Sequence, residues 1–165
     1  MATKYAKRHE RIYGVRSIEN RMKEDLRYPE ECYKIMGAAF EVYKRMGCGF
    51  FEGVYQDCLE IELREQNIPF RSQVELAINY REIIIPHTYR ADLVCYDKIL
   101  VELKAVSELL DEHRAQILNY LNASKMQLGL LINFGHYPKI QWERFVFGTE
   151  LSTKDTKKIP TKNTK

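Results

Sequence analysis

Two carboxylates and a lysine carry the clearest chemistry in this chain. They lie in Tyr89-Arg90-Ala91-Asp92-Leu93-Val94 and in Val101-Glu102-Leu103-Lys104-Ala105. Side chains of an extended strand alternate between its faces, so Glu102 and Lys104 share one face and Val101, Leu103 and Ala105 the other. Tyr96-Asp97-Lys98 between the two runs reads as a hairpin loop. With three loop residues Cys95 pairs with Ile99, and counting back sets Asp92 opposite Glu102, with Cβ atoms about 4.5–5.5 Å apart. A two-residue loop would set Asp92 opposite Leu103 instead, so the juxtaposition depends on register. Two carboxylates that close repel unless a cation lies between them. An all-oxygen site of this kind suits a hard divalent ion, Mg²⁺ or Mn²⁺. Lys104 on the same face is placed to orient a water or to stabilise charge developing on a phosphate. The same letters also fit a surface hairpin whose acids and lysine form ordinary exposed ion pairs.

Two helical features bear on that choice. Glu52 lies one turn before Tyr55, at the margin of an apolar helix face, where it can turn toward a sheet or remain a solvated acid favoured by the helix dipole. Further on, His113, Gln116 and Tyr120 recur at i, i+3 and i+7, a polar stripe beside Ile117 and Leu121. Such a stripe is unusual on a helix packed against a sheet, although a wet helix edge would also carry it.

The elements that must position these residues follow from periodicity. Pro29 suits a helix start, and Tyr33, Met36, Phe40 and Tyr43, with Ile35, Ala39, Val42 and Met46, recur at helical spacing up to Gly47-Cys48-Gly49. A second helix is predicted from about Phe51 to Gln66, with Phe51, Val54, Tyr55, Cys58, Leu59 and Ile61 inward, stopped by Asn67-Ile68-Pro69. Val74 to Tyr80 alternates as a strand, and Arg81-Glu82 reads as a tight connection into Ile83-Ile84-Ile85. Runs from Tyr89 to Tyr96 and from Ile99 to Val106 follow, then a helix from Leu110 to Ser124. Leu128 to Phe134 is almost continuously apolar, as in a strand covered on both faces. Ile140 to Phe147 alternates as a last strand. Three or four meandering strands followed by a helical crossover imply a mixed sheet with helices packed on it, an α/β (α+β) fold.

Composition sets the outer bounds. A chain of 165 residues, 45% hydrophobic, fits one domain with short tails and is too apolar to be disordered. It contains no apolar run of about 18 residues, so a membrane span is excluded, and the polar first 30 residues lack a secretory pattern, so a cytoplasmic location is expected. Cys32, Cys48, Cys58 and Cys95 form no C-x-x-C pair, which argues against a thiolate zinc site and for free thiols. The net charge of +3 is unevenly spread, with Lys and Arg concentrated in residues 1–27 and again among the threonines of the last twelve residues. These termini serve either as solubilising tails or as a contribution to phosphate binding. The resulting division is a basic extension over 1–28, a domain over 29–147 and a Lys/Thr-rich tail over 148–165.

The motifs together resemble a known family. Gly49-Phe50-Phe51-Glu52-Gly53-Val54-Tyr55 is similar to the signature that names the GxxExxY proteins. The likeness continues through Tyr89 to Val94, Val101 to Val106, His113 to Leu121 and Gly129 to Gly135, covering roughly Pro29 to Phe147. That family resembles the PD-(D/E)xK nuclease superfamily, which implies a restriction-endonuclease-like α-β-β-β-α-β core. By position the resemblance makes Asp92, Glu102 and Lys104 the catalytic motif. It makes Glu52 an added helical acid at the metal site, and Gln116 and Tyr120 a Q-x-x-x-Y element. Ala91 stands where the superfamily often has proline, a backbone-shaping position that binds no metal.

The resemblance therefore implies a Mg²⁺- or Mn²⁺-dependent nuclease acting on nucleic acid, DNA more than RNA. Asp92, Glu102 and Glu52 would hold the metal, and assembly as a homodimer is left open. Two other readings compete. One is a non-catalytic nucleic-acid-binding or interaction module that keeps the fold, since folds do not fix functions. The other is a hydrolase for a small phosphate ester. A pure binder needs no acids beside phosphate, and basic termini disfavour the small ester.

Overall fold

The computed structural model describes residues 27–148. The basic stretch up to residue 26 and the tail from 149 onward, with the nucleic-acid role considered for them, lie outside the described residues. Helix α1 spans Pro29–Met46 and α2 spans Glu52–Glu65. Pro29 opens α1 with its φ already helical. Glu30 and Glu31 in its first turn, and Lys44 and Arg45 in its last, complement the helix dipole. The buried stripe of α1 is Cys32, Ile35, Met36, Ala38, Ala39 and Val42. Tyr33 and Phe40 share the helical spacing but stay exposed, being offset around the helix from Ile35 and Ala39. In α2 the inward set is Tyr55, Leu59 and Leu63. Two expected inward residues are corrected here. Phe51 precedes the helix as its cap and is exposed, and Ile61 lies about 200° around the helix from Leu59, also exposed.

Strands β1 (Phe70–Tyr80) and β2 (Ile83–Cys95) form a long hairpin. Arg81 and Glu82 both have positive φ (49° and 64°), the twist-matched two-residue turn expected of that connection. The separate runs at Ile83–Ile85 and Tyr89–Tyr96 are one strand. Between the pairs Asn79↔Ile84 and Ala77↔Thr88 the register shifts, and Pro86 lies inside that irregularity, where its missing N–H costs no ladder bond. Strand β3 (Ile99–Lys104) turns back from β2, then α3 (Asp111–Ser124) crosses to β4 (Leu128–Asn133), which pairs with β5 (Gln141–Val146). The sheet order is β1-β2-β3-β4-β5, antiparallel throughout except for parallel β3 and β4.

Helices cover both sheet faces. Leu93, Val101, Leu103, Leu130 and Ile132 pack with α1 and α2, while Leu76, Leu100 and Leu131 pack with Ile117, Tyr120 and Leu121 of α3. Every residue of β3 and β4 is buried, as a parallel pair between two helical layers requires. The bidentate ion pair of Arg114 with Glu143 ties α3 to β5 (2.6–3.1 Å). Arg27 and Tyr28 belong to this body. Arg144 donates to the Arg27 carbonyl (2.7 Å), and the Lys98 ammonium lies 4.2 Å from the centre of the Tyr28 ring. Of the cysteines, which are all free, Cys32 and Cys95 are buried and Cys48 is exposed. No helix among the described residues is long and apolar enough to cross a membrane.

Candidate active site

Strand alternation turns alternate residues of β3 in opposite directions. Val101 and Leu103 enter the core under α1 and α2, and Leu100 packs on the α3 side. Glu102 and Lys104 follow the parity of Leu100 and therefore face α3. Both are buried, at 2% and 8% exposure, a rare state for charged side chains unless paired. They pair with each other, Lys104 Nζ donating to Glu102 Oε1 at 2.9 Å.

The β2–β3 hairpin has Cys95 opposite Ile99, Val94 opposite Leu100 and Leu93 opposite Val101. The ladder stops there, one step before Asp92 and Glu102. On the other side of β2 the pairing also skips Asp92, passing from Ser72↔Leu93 to Val74↔Ala91, with Gln73 at positive φ (51°). Asp92 thus lies where β2 parts from β3 and, for one residue, from β1. Its Oδ2 accepts the Leu103 N–H at 2.8 Å, replacing the ladder bond that β2 no longer supplies. Its Oδ1 lies 3.5 Å from Gln73 Nε2, and Gln56, one turn beyond Glu52 on α2, approaches the Asp92 carbonyl at 3.5 Å.

Charge couples Glu102 to Asp92, Lys104 and Glu52. Burial raises Glu102 to about 7, and Asp92 and Glu52 add to that rise against the opposing pull of Lys104. Asp92 is raised as well, chiefly by burial, with the Leu103 N–H and Lys104 holding it down in part. Burial works to lower Lys104, but the Glu102 carboxylate outweighs it and the net direction is upward, with Glu52 and Asp92 contributing. Glu52, at the solvent rim on the first turn of α2, is raised by partial desolvation and by Asp92, and lowered by Lys104.

On α3, Gln116 Nε2 donates to the Tyr120 hydroxyl at 2.8 Å, and the Tyr89 ring lies 4.8 Å from that of Tyr120. Burial raises Tyr120, the Gln116 bond opposes it, and the nearby Glu102 charge pushes it further up. His113 accepts the Leu110 N–H on Nδ1 (3.0 Å) and so caps the start of α3. Burial, then the Lys104 charge, hold it below the usual histidine range. The polar stripe of α3 therefore divides between one capping residue and a bonded pair facing the acids.

A second polar group fixes the backbone beyond Lys104. Asn133, fully buried opposite Lys104 in the β3–β4 ladder, accepts the N–H groups of Val106 and Gly135 (both 3.0 Å) and donates to Gln141 Oε1 (3.2 Å). Gln141 Oε1 also accepts the Leu109 N–H (3.1 Å). A side chain at Gly135 would come within 2.5 Å of the Ala105–Val106 backbone, so glycine is required for that approach. Asn133, Gln141, Gln56 and Gln73 were not selected from the sequence. Of these only Gln56, at i+4 from Glu52, carries a spacing signal.

The donor set fits a divalent cation. Glu102 Oε2 is buried without a hydrogen-bond partner, an arrangement that is costly for a carboxylate and that a hard cation relieves. Among the described residues no three His, Cys, Asp or Glu side chains are drawn into a ready-made ion cage. Glu102 Oε1 is turned to Lys104 and Asp92 Oδ2 to Leu103.

A model of the PD-(D/E)XK nuclease superfamily matches residues 29–145. The match covers the whole three-layer body, and the chain belongs to that superfamily. Among solved structures the chain is similar to the one titled "Crystal structure of SSO0001". The identity is 18% and the TM-score 0.49, over 79% of this chain and 63% of that one. The chain thus spans less than two thirds of that protein's length. No curated protein matches it.

Proposed function

We propose that this chain is a metal-dependent nuclease that hydrolyses phosphodiester bonds, with DNA as its substrate. The observation that carries the reading is the buried carboxylate of Glu102, one oxygen bonded to Lys104 and the other unpartnered, beside Asp92 where β2 leaves β3. Membership of a nuclease superfamily supports it. Asp92 and Glu102 would hold Mg²⁺ or Mn²⁺, with Glu52 adding a carboxylate from the rim. A bound ion of this kind polarises the scissile phosphate and lowers the pKa of a coordinated water. With Glu102 committed to a metal, Lys104 would be free to offer its ammonium to the attacking water and to the charge that builds on phosphate. Gln116 and Tyr120, locked to each other, orient the strand on the α3 side. A module that only binds nucleic acid gains nothing from burying one carboxylate and half-burying a second that repel phosphate, so catalysis explains the arrangement better.

The test is incubation of the full chain with single- and double-stranded DNA and RNA, with Mg²⁺ or Mn²⁺ against EDTA. The expected result is cleavage of DNA that EDTA abolishes. No cleavage of any of the four substrates with either ion would overturn the proposal.

A further inference from the structure

The segment that carries Glu52 holds a feature the metal chemistry does not use. Phe51, the residue immediately before Glu52, is 86% exposed. Single exposed apolar residues are ordinary on protein surfaces, but this one is held in place by a buried pin. Tyr55 is fully buried and stacks on Phe134 with ring centres 4.8 Å apart. Its hydroxyl donates to the Gly47 carbonyl (2.7 Å) and accepts the Phe50 N–H (3.2 Å). The Phe50 ring meets it edge-on, with ring centres 6.1 Å apart. Gly49, at φ 108°, gives the turn a conformation that other residues rarely adopt. The three residues of the G-x-x-E-x-x-Y pattern thus have physical roles: a left-handed turn, an acid at the helix start and an anchor for the turn. Between the turn and the acid they present an aromatic ring to solvent at the rim of the site.

We infer that Phe51 is a stacking platform for an unpaired base of the DNA strand being cut, and therefore that the site takes single-stranded or locally unpaired DNA. The inference rests on the proposed nuclease reading and extends it to substrate form. An aromatic face stacks on any base once that base is out of a duplex. A platform contributes most when its own position is fixed before binding. Phe51 meets both conditions, since Tyr55 pins the preceding Phe50 N–H, the Phe51 carbonyl accepts the Val54 N–H (3.0 Å), and its ring is exposed. It is covalently next to Glu52, and Gln56 one turn further along the same helix reaches the Asp92 carbonyl at 3.5 Å and Gln73, itself beside the Asp92 carboxylate, at 2.9 Å, so the start of α2 adjoins the acids.

The test is binding of fluorescently labelled DNA to the full chain in EDTA, read by anisotropy, with one sequence as single strand and as duplex. Phe51→Ala, Phe51→Leu and Phe51→Trp are compared with wild type. The expected result is about a tenfold weaker grip on the single strand for Phe51→Ala. Phe51→Leu should be equally weak, because it is apolar without a ring face, and Phe51→Trp should bind as wild type. Duplex affinity should change less than twofold in all three. Unchanged single-strand affinity in Phe51→Ala, an equal loss on both forms, or rescue by leucine would overturn the inference. So would a response to Phe51 confined to RNA of the same sequence. A wild-type chain that cuts duplex DNA with metal while Phe51→Ala is silent refutes the platform and leaves the nuclease reading intact. A wild-type chain that neither binds nor cuts any nucleic acid refutes both.

Discussion

Strand β3 is six residues long, and its two halves are held differently. Ile99, Leu100 and Val101 are laddered to β2 on one side and to β4 on the other. Glu102, Leu103 and Lys104 keep the β4 ladder as far as Lys104↔Asn133 but lose β2, whose place is taken by the carboxylate of Asp92 on the Leu103 N–H. The first half is apolar, and both of its neighbours satisfy its backbone. The second half keeps the same burial but places a carboxylate and an ammonium in the gap. Ending the ladder early thus brings the Asp92 carboxylate onto the Leu103 N–H, beside the buried Glu102–Lys104 pair. The cost appears as the orphaned Glu102 Oε2 and the upward shift of both acids.

Replacements along this boundary should separate stability from chemistry. The largest stability effect is expected from Leu103→Ala, which empties a fully buried site under α1 and α2 and should cost about 3–4 kcal/mol in urea unfolding. A cost below about 1 kcal/mol would mean that the open half of β3 is not packed like the closed half.

Glu102→Gln should act in the opposite direction in metal-free protein. Folded Glu102 takes its proton near pH 7, against an ordinary value of 4.5, so the folded state binds that proton more tightly than the unfolded state. Its contribution is therefore fully present below about pH 4.5 and is lost as pH rises through about 7. The amide fixes the neutral form. In EDTA at pH 8 Glu102→Gln should be more stable than wild type, by on the order of 2 kcal/mol, with the gap closing toward pH 4.5. A pH-independent gap, or a variant less stable at pH 8, would contradict the placement of Glu102 in a desolvated gap.

Tyr55→Phe is the smaller test, on the segment that carries the third acid. It leaves the Gly47 carbonyl and the Phe50 N–H without their partner and should cost about 1 kcal/mol, with protection from amide hydrogen exchange falling mainly over 47–51. Unchanged protection there would remove Tyr55 as the pin.

Much of this organisation is legible in the sequence, and the rest fails for identifiable reasons. The three-residue loop at Tyr96-Asp97-Lys98 sets the β2–β3 register, because alternation and turn length are local properties. The two-residue turn at Arg81-Glu82 was equally readable. The early end of the β2–β3 ladder was not readable, since it depends on the skipped pairing at Gln73 and Asp92, between residues far apart in sequence. Phe51 and Ile61 looked inward because apolar letters at near-helical spacing do not say which side of α2 the sheet lies on. Ile83–Ile85 and Tyr89–Tyr96 read as separate runs, but β2 joins them across a register shift. The amides of buried Asn133 and half-buried Gln141 carry no signal, because their backbone partners, and each other, are brought near only by the fold.

The central claim is that Asp92 of β2 and Glu102 of the open half of β3 hold metal, while Lys104 works on substrate. It is tested most directly by calorimetric titration of Mn²⁺ into wild type, Asp92→Asn, Glu102→Gln and Lys104→Ala, alongside cleavage rates on the best substrate. Asp92→Asn and Glu102→Gln should lose metal affinity and cleavage together, because a neutral amide is a poor ligand for a hard dication. Lys104→Ala should bind Mn²⁺ as well as wild type or slightly better, yet cut at least about a hundredfold more slowly, the pattern of a contact made in the transition state. Loss of metal in Lys104→Ala, or wild-type cleavage in any of the three, would contradict it.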